Sequence, residues 1–170
     1  MPCHVWVAMC SRPRPRRRPE REVHDEDEGM MSAPLVPDEF DVPLAFRGPG
    51  FRLEPLGPEH NERDHEAWMS SIDHIRSTPG FGEQEAPDWP IAMTLEANLE
   101  DLVRHAKDFD ERKGFTYSIL DGDEVIGCIY IYPSRVAGYT AEVIMWVTEK
   151  AAERGLDEAL DHDVRFWIDD

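Results

Sequence analysis

The stretch that decides the fold runs from Phe115 to Thr148. It reads Phe115–Leu120 (FTYSIL), Asp121-Gly122-Asp123-Glu124, Val125–Tyr132 (VIGCIYIY) and, after a loop through Gly138, Tyr139–Thr148 (YTAEVIMWVT). β-branched and aromatic residues dominate all three apolar runs, which is strand composition. The Asp-Gly pair tolerates the positive φ of a tight hairpin turn. Pro133 stops the second run, because proline has no N–H to give a sheet. In the third, Tyr139, Ala141, Val143, Met145 and Val147 share one face, and Thr140, Glu142, Ile144, Trp146 and Thr148 the other. Both faces are mainly apolar, so the pattern predicts an inner strand covered on both sides.

Working outward, Phe51–Leu56 (FRLEPL) alternates as a first strand, ended by Gly57-Pro58. Glu59–Ser77 has helical spacing, with Trp68, Ile72 and Ile75 sharing a stripe with His65. Pro79, Gly80, Gly82, Pro87 and Pro90 make Thr78–Pro90 a loop. Thr94 reads as an N-cap. The helix it opens carries Leu95, Leu99, Leu102, Ala106 and Phe109 on one face, with Gly114 as its expected stop. Lys150–Gly155 reads as a connection, and Leu156, Leu160, Val164 and Trp167 mark a last helix.

Charge divides the chain in two. It carries 18 Lys and Arg against 36 Asp and Glu, a net charge of −18. Residues 1–31 hold six arginines and six acids, so the whole excess belongs to residues 32–170. So acidic a body repels phosphate backbones, which argues against nucleic-acid binding by the folded part. No apolar run approaches the roughly 20 residues of a membrane-spanning helix. The opening residues run from an apolar stretch (Val5–Met9) to Arg12-Pro13-Arg14-Pro15-Arg16-Arg17-Arg18 and then to Asp25–Glu28. A secretory signal has its positive charge before the apolar run, and the order here is the reverse. Segregated charge and proline predict a disordered tail over residues 1–38 and one domain over 39–170. The arginines are read either as an anion-binding patch or as part of a functionless extension, with Met30 or Met31 as the start. Cys3, Cys10 and Cys128 form neither a disulfide framework nor a zinc spacing, which places the protein in a reducing cytoplasm with Cys128 as a small buried residue. His60 and His65 miss the spacing for sharing a metal on a helix, and no metal is expected.

Strand, helix, helix, three antiparallel strands and helix, in that order, resemble the GNAT N-acetyltransferase superfamily over about residues 50–168. Phe115–Leu120, the Asp-Gly turn and Val125–Ile131 resemble its second and third strands, and Ala141–Val147 its fourth. The resemblance implies an α/β (α+β) fold with a mixed, mostly antiparallel central sheet flanked by helices. The family's later strands would be missing, leaving an apolar edge beside Tyr139–Thr148 for the tail or a homodimer partner to cover. It implies transfer of an acetyl or other acyl group from acyl-CoA to a small amine, with acetyl-CoA as co-substrate. The base would be Glu142, a carboxylate inside an apolar strand that otherwise faces a wet cleft or pairs with an arginine such as Arg52. A backbone N–H near a bulge around Met145, Trp146 and Val147 would meet the thioester oxygen.

The family's pyrophosphate turn, Arg/Gln-x-x-Gly-x-Gly/Ala, falls on Ala152-Glu153-Arg154-Gly155-Leu156-Asp157. Only Gly155 keeps an anchor position, and Asp157 and Glu158 oppose a phosphate at a helix start. Lys150 and Arg154 are the cations that can compensate. Phe81 and Trp89 in the long loop, with Tyr117 and Tyr130, are the expected substrate pocket, and Tyr130, Tyr132 and Tyr139 the available acids. The eroded turn supports a second expectation from another class: a catalytically degenerate member of the fold that binds or dimerises without turnover.

Overall fold

The computed structural model describes residues 5–8, for which only the backbone is considered, 33–81 and 89–169. In chain order the elements are β1 (Val5–Ala8), β2 (Phe46–Gly48), β3 (Phe51–Pro55), a 3-10 turn (Pro58–His60), α1 (Asn61–Met69), α2 (Ile72–Ser77), α3 (Leu95–Asp110), β4 (Phe115–Asp121), β5 (Glu124–Pro133), β6 (Ala141–Val147), α4 (Glu149–Glu153) and α5 (Leu156–Asp169). The strands form one sheet in the order β1-β6-β5-β4-β3-β2. The fold is mixed α+β, as the sequence implies, and every described strand pairing is antiparallel.

The hairpin forms where its turn chemistry puts it. Asp121 pairs with Glu124, leaving Gly122 and Asp123 as a two-residue turn in which Gly122 takes φ 59°. Glycine at the first turn position matches the right-handed twist of the flanking strands. Leu120 pairs with Val125 and Ile119 with Gly127, so Ile126 is an extra residue, a bulge. At Gly127 a side chain has no room: a methyl would run into the Trp146 carbonyl oxygen and press on Val147. Because the obstacle is backbone, Gly127→Ala is expected to destabilise by about 1–3 kcal/mol or more, read as a lower urea midpoint at unchanged slope.

Strand alternation splits the core into two layers. Leu53, Tyr117, Ile119, Ile129, Val143 and Met145 form one with Leu160 and Val164 of α5. Leu120, Cys128 and Trp146 form the other with Trp68 of α1, Ile75 of α2 and Leu102 of α3. β6 is apolar on both sides because both layers need it. Cys128 is fully buried, and burial pushes its thiol well up, so it serves as a small core residue.

Several expectations are corrected. The single helix over Glu59–Ser77 is a 3-10 turn and two helices, interrupted at Ser70-Ser71. There Ser70 Oγ bonds the Ala67 carbonyl, and Ser71 Oγ accepts from the Glu149 N–H at 3.1 Å. Thr94 does cap α3, its hydroxyl accepting from the Ala97 N–H at 3.2 Å. The inward face of α3 is rotated from the expected one: Asn98 and Leu102 are buried, whereas Leu95 and Leu99 are 36% and 38% exposed. Asn98 is drawn in by polar bonds, accepting from Trp68 Nε1 at 3.0 Å and donating to Asp64 Oδ2 at 3.1 Å. The helix is closed by Arg112, at φ 56°, rather than by Gly114, and its guanidinium holds the Pro37 and Phe40 carbonyls at 3.0 and 2.9 Å. β2 lies outside the expected elements, and the expected connection after β6 contains α4.

The boundary at residue 38 also differs. Leu35 and Val36 pack against the core, and the Leu35 N–H bonds the Arg112 carbonyl at 2.7 Å. Val5–Ala8, placed in the expected tail, lies antiparallel along Ala141–Ile144 of β6. An edge strand presents unpaired N–H and C=O groups, and a short β-forming segment satisfies them. The arginine run, the acidic run, Cys3 and Cys10 lie outside the described residues.

Candidate functional site

β6 organises the site. The Thr148 N–H bonds the Ile126 carbonyl at 2.8 Å, which fixes which peptide groups face β5. By strand alternation those of Trp146, Ile144 and Glu142 face β5, and those of Met145 and Val147 face the opposite edge. β1 ends its pairing at Ile144, so the Met145 and Val147 N–H groups lie beyond it. Met145, Trp146 and Val147 line a cavity of about 40 Å³ together with His74, Thr78 and Asp157. The β5–β6 register runs from Gly127–Val147 to Pro133–Ala141 without a shift, so the bulge expected on this strand lies between β4 and β5 instead.

The far end of β6 is where the resemblance implies a pyrophosphate. Helix α4 begins there, ahead of the Ala152–Asp157 turn, and three of its first four N–H groups have partners. That of Glu149 donates to Ser71 Oγ at 3.1 Å, that of Ala151 to Thr148 Oγ1 at 3.3 Å, and that of Ala152 to the Thr148 carbonyl at 3.0 Å. Gly155 turns at φ 75° into α5, whose first turn carries Asp157 and Glu158. Lys150 meets Glu124 at 3.1 Å and Arg154 meets Asp121 at 3.0 Å, both on the surface. The turn that the resemblance assigns to a pyrophosphate leads into α5, and Asp157 and Glu158 at that helix start do not suit a pyrophosphate there. The two cations are held only by exposed ion pairs, which are worth about 0–1 kcal/mol and exchange readily.

On the face covered by α1, α2 and α3 the aromatic residues Phe81, Trp89, Tyr130 and Trp146 meet. Phe81 lies 5.3 Å from Trp89 and 6.3 Å from Tyr130 between ring centroids, and Trp89 lies 6.4 Å from Trp146. Trp146 Nε1 donates to the Tyr130 hydroxyl at 3.3 Å. Tyr117 is not among them. Thr116 pairs with Tyr130 across the hairpin, so Tyr117 points to the opposite face, where its hydroxyl donates to the Pro43 carbonyl at 2.9 Å. Its packing between Phe109 and Trp167 makes it a core residue.

A polar cluster that the sequence did not disclose continues the aromatic wall. His105 of α3 lies 5.4 Å from the Tyr130 ring, and its Nδ1 faces the Tyr132 hydroxyl at 2.8 Å and Thr116 Oγ1 at 3.1 Å. The Tyr132 hydroxyl donates to Asp108 Oδ2 at 3.0 Å. Burial, then the neighbouring Arg104 charge, lowers His105 to about 4, and burial raises Tyr132 to about 12. Both are neutral near pH 7. Glu142, half-buried, is the direct cross-strand neighbour of Tyr132 on the same face. Arg52 does not reach it, being engaged by Glu54 at 2.8 Å. Deeper under the wall, Asp64 is pushed up to about 6 by burial against the opposing pull of its Asn98 hydrogen bond. His105 and Asp108 share a helix face three residues apart, and Tyr130 and Tyr132 alternate onto one strand face. That periodicity is the one signal that could have joined them.

Among the described residues no group of three His, Cys, Asp or Glu side chains is placed to hold a metal, and no helix is long and apolar enough to cross a membrane. No family model matches the chain, and no curated protein does. Solved structures are similar to it. One is the ribosomal-protein-S5-alanine acetyltransferase from Vibrio fischeri, 11% identical, TM-score 0.44, over 72% of this chain and 69% of that one. Another is a protein named provisionally as an acetyltransferase, 18% identical, TM-score 0.40, over 74% of this chain and 64% of that one. Both likenesses are distant and concern the fold alone.

Proposed function

We propose that the chain is a GNAT-like N-acyltransferase that moves an acyl group from acyl-CoA to a small amine. The observation that carries this reading is the placement of Glu142 beside Tyr132, on the face walled by Tyr130, Trp89 and Phe81. An amine is protonated at neutral pH and cannot attack until a base takes a proton. Glu142 is a carboxylate on the strand whose next outward-facing N–H groups, at Met145 and Val147, can meet an oxygen that gains charge. The negative body raises the local concentration of a cationic acceptor. No contact is assigned to the donor's phosphates, because Asp157 and Glu158 stand at the start of α5, where the resemblance would place them. The reading is of a cytoplasmic enzyme, which the buried, unbridged Cys128 suits.

The second reading, a fold that binds or dimerises without turnover, draws on the eroded Ala152–Asp157 turn and on Asp157 and Glu158 at the start of α5. Thermal unfolding with acetyl-CoA separates the two. The enzyme is expected to gain about 2.7 kcal/mol at a hundred times Kd. An unmoved midpoint at millimolar acetyl-CoA would overturn the transferase and leave the binding protein.

A further inference from the structure

Polar bonds at one position turn an apolar row of α3 outward. Asn98 takes the inward place through Trp68, Asp64 and Asn61, and Leu102 follows it one turn later. Leu95, Leu99 and Val103, spaced by four, are thereby left on the outer surface, and Ile91 extends the row ahead of the Thr94 cap. All four are between 36% and 50% exposed, and among the described residues none of them joins either core layer. A single exposed leucine needs no explanation, whereas four large apolar side chains in one line form a surface.

The charges beside the row show what fits it. Glu96 and Glu100 flank its first half, and Lys107 stands one turn beyond Val103. Lys107 leans on Glu111 at 3.8 Å at the surface, a contact that exchanges readily. At 3.6 residues per turn, Glu96 and Lys107 fall within about 20° of each other, on the same flank of Leu99 and Val103. A second α3 laid antiparallel, with Leu99 of one against Val103 of the other, brings Glu96 of each copy to Lys107 of the other. Laid parallel, it would set acid against acid and lysine against lysine. The row is thus complementary to itself in one direction only, which is the property of a two-fold interface.

We infer that the row from Ile91 to Val103 is the contact face of a homodimer built on two antiparallel α3 helices. The contact lies away from the β6 edge, along which Val5–Ala8 already runs. Four half-exposed side chains offer far less than the roughly 800 Å² per partner of a standard interface, so the dimer is weak and depends on concentration. It does not depend on the transferase reading.

Sedimentation velocity of the full chain tests it, in about 0.15 M salt, where screening confines the repulsion between two acidic bodies to about 8 Å. Between about 1 µM and 1 mM the chain is expected to pass from monomer to dimer, with free energies of association in the range of weak interfaces. Leu99→Glu is expected to weaken dimerisation by about tenfold or more, because a charge replaces apolar burial on both sides of the contact. Glu96→Lys and Lys107→Glu, each alone, are expected to weaken it by about three- to tenfold, since each sets two like-charged pairs face to face. An equimolar mixture of those two variants is expected to regain the affinity of the unaltered chain. All three positions are exposed, and an unchanged urea midpoint confirms that each variant is folded. A monomer at every concentration, a dimer that tolerates Leu99→Glu, or a mixture that associates no more tightly than its components would overturn the interface.

Discussion

Glu142→Gln is expected to lower acyl transfer to a small amine by about 10²–10⁴-fold, the usual contribution of a positioned general base. The amide matches the carboxylate in shape and still accepts a hydrogen bond, but it cannot take the ammonium proton. Because the side chain is only half-buried near the end of a paired strand and the amide keeps its shape, the fold should be unaffected. The residual rate should rise with pH more steeply than that of the unaltered protein, as solvent removes the proton that Glu142 would have taken. The measurement is kcat/KM against pH for both proteins under acyl-CoA saturation. A variant with an unchanged rate and profile would remove Glu142 from the reaction.

The second large effect concerns stability and acid. Asp64→Asn is expected to stabilise the fold near pH 7 by about 1–3 kcal/mol, because Asp64 must ionise in a buried place there. Its folded value, about 6, stands above the ordinary 3.8, so the folded chain binds more protons between those values and gains stability as pH falls through them. His105 works in the opposite direction. Its folded value, about 4, stands below the ordinary 6.5, so the unfolded chain binds more protons and stability is lost as pH falls from 6.5 to 4. Each contribution is at most about 3 kcal/mol, and over the shared window they offset each other. Removing the Asp64 carboxyl therefore exposes the His105 loss. Urea unfolding at pH 7 and 4.5 should show the variant ahead at neutral pH and falling more steeply toward acid. Parallel pH dependences would show that the two groups do not oppose each other.

The elements legible in the sequence are those specified by neighbours in the chain. The β4–β5 hairpin rests on Gly122, the start of α3 on Thr94, and the three long strands on their own composition. The rest is settled at a distance. β2 has three residues and no pattern of its own. The rotation of α3 comes from Asn98 meeting Trp68 and Asp64 on α1, contacts 30 and 34 residues away in the chain that compete with Leu95 and Leu99 for the interior. The site divides in the same way. Glu142 stands out because a carboxylate in an apolar strand needs a reason, and Met145–Val147 belong to the strand itself. His105 and Asp108 look like solvated helix positions in the sequence, since their bonds to Tyr132 exist only once α3 has turned. Tyr117 is misplaced by parity, which the pairing of Thr116 with Tyr130 decides.

The start of α4 bears on how any ligand at this end of β6 would bind. Thr148 and Ser71 hold the Glu149, Ala151 and Ala152 N–H groups from within, so its first turn is wound before anything arrives. Binding there is not coupled to ordering of the backbone. No entropy of helix formation is charged against affinity, and none is available to transmit occupancy along the chain. A signal that this end is filled would have to travel through side chains alone, by Lys150 and Arg154 changing partners at the β4–β5 turn.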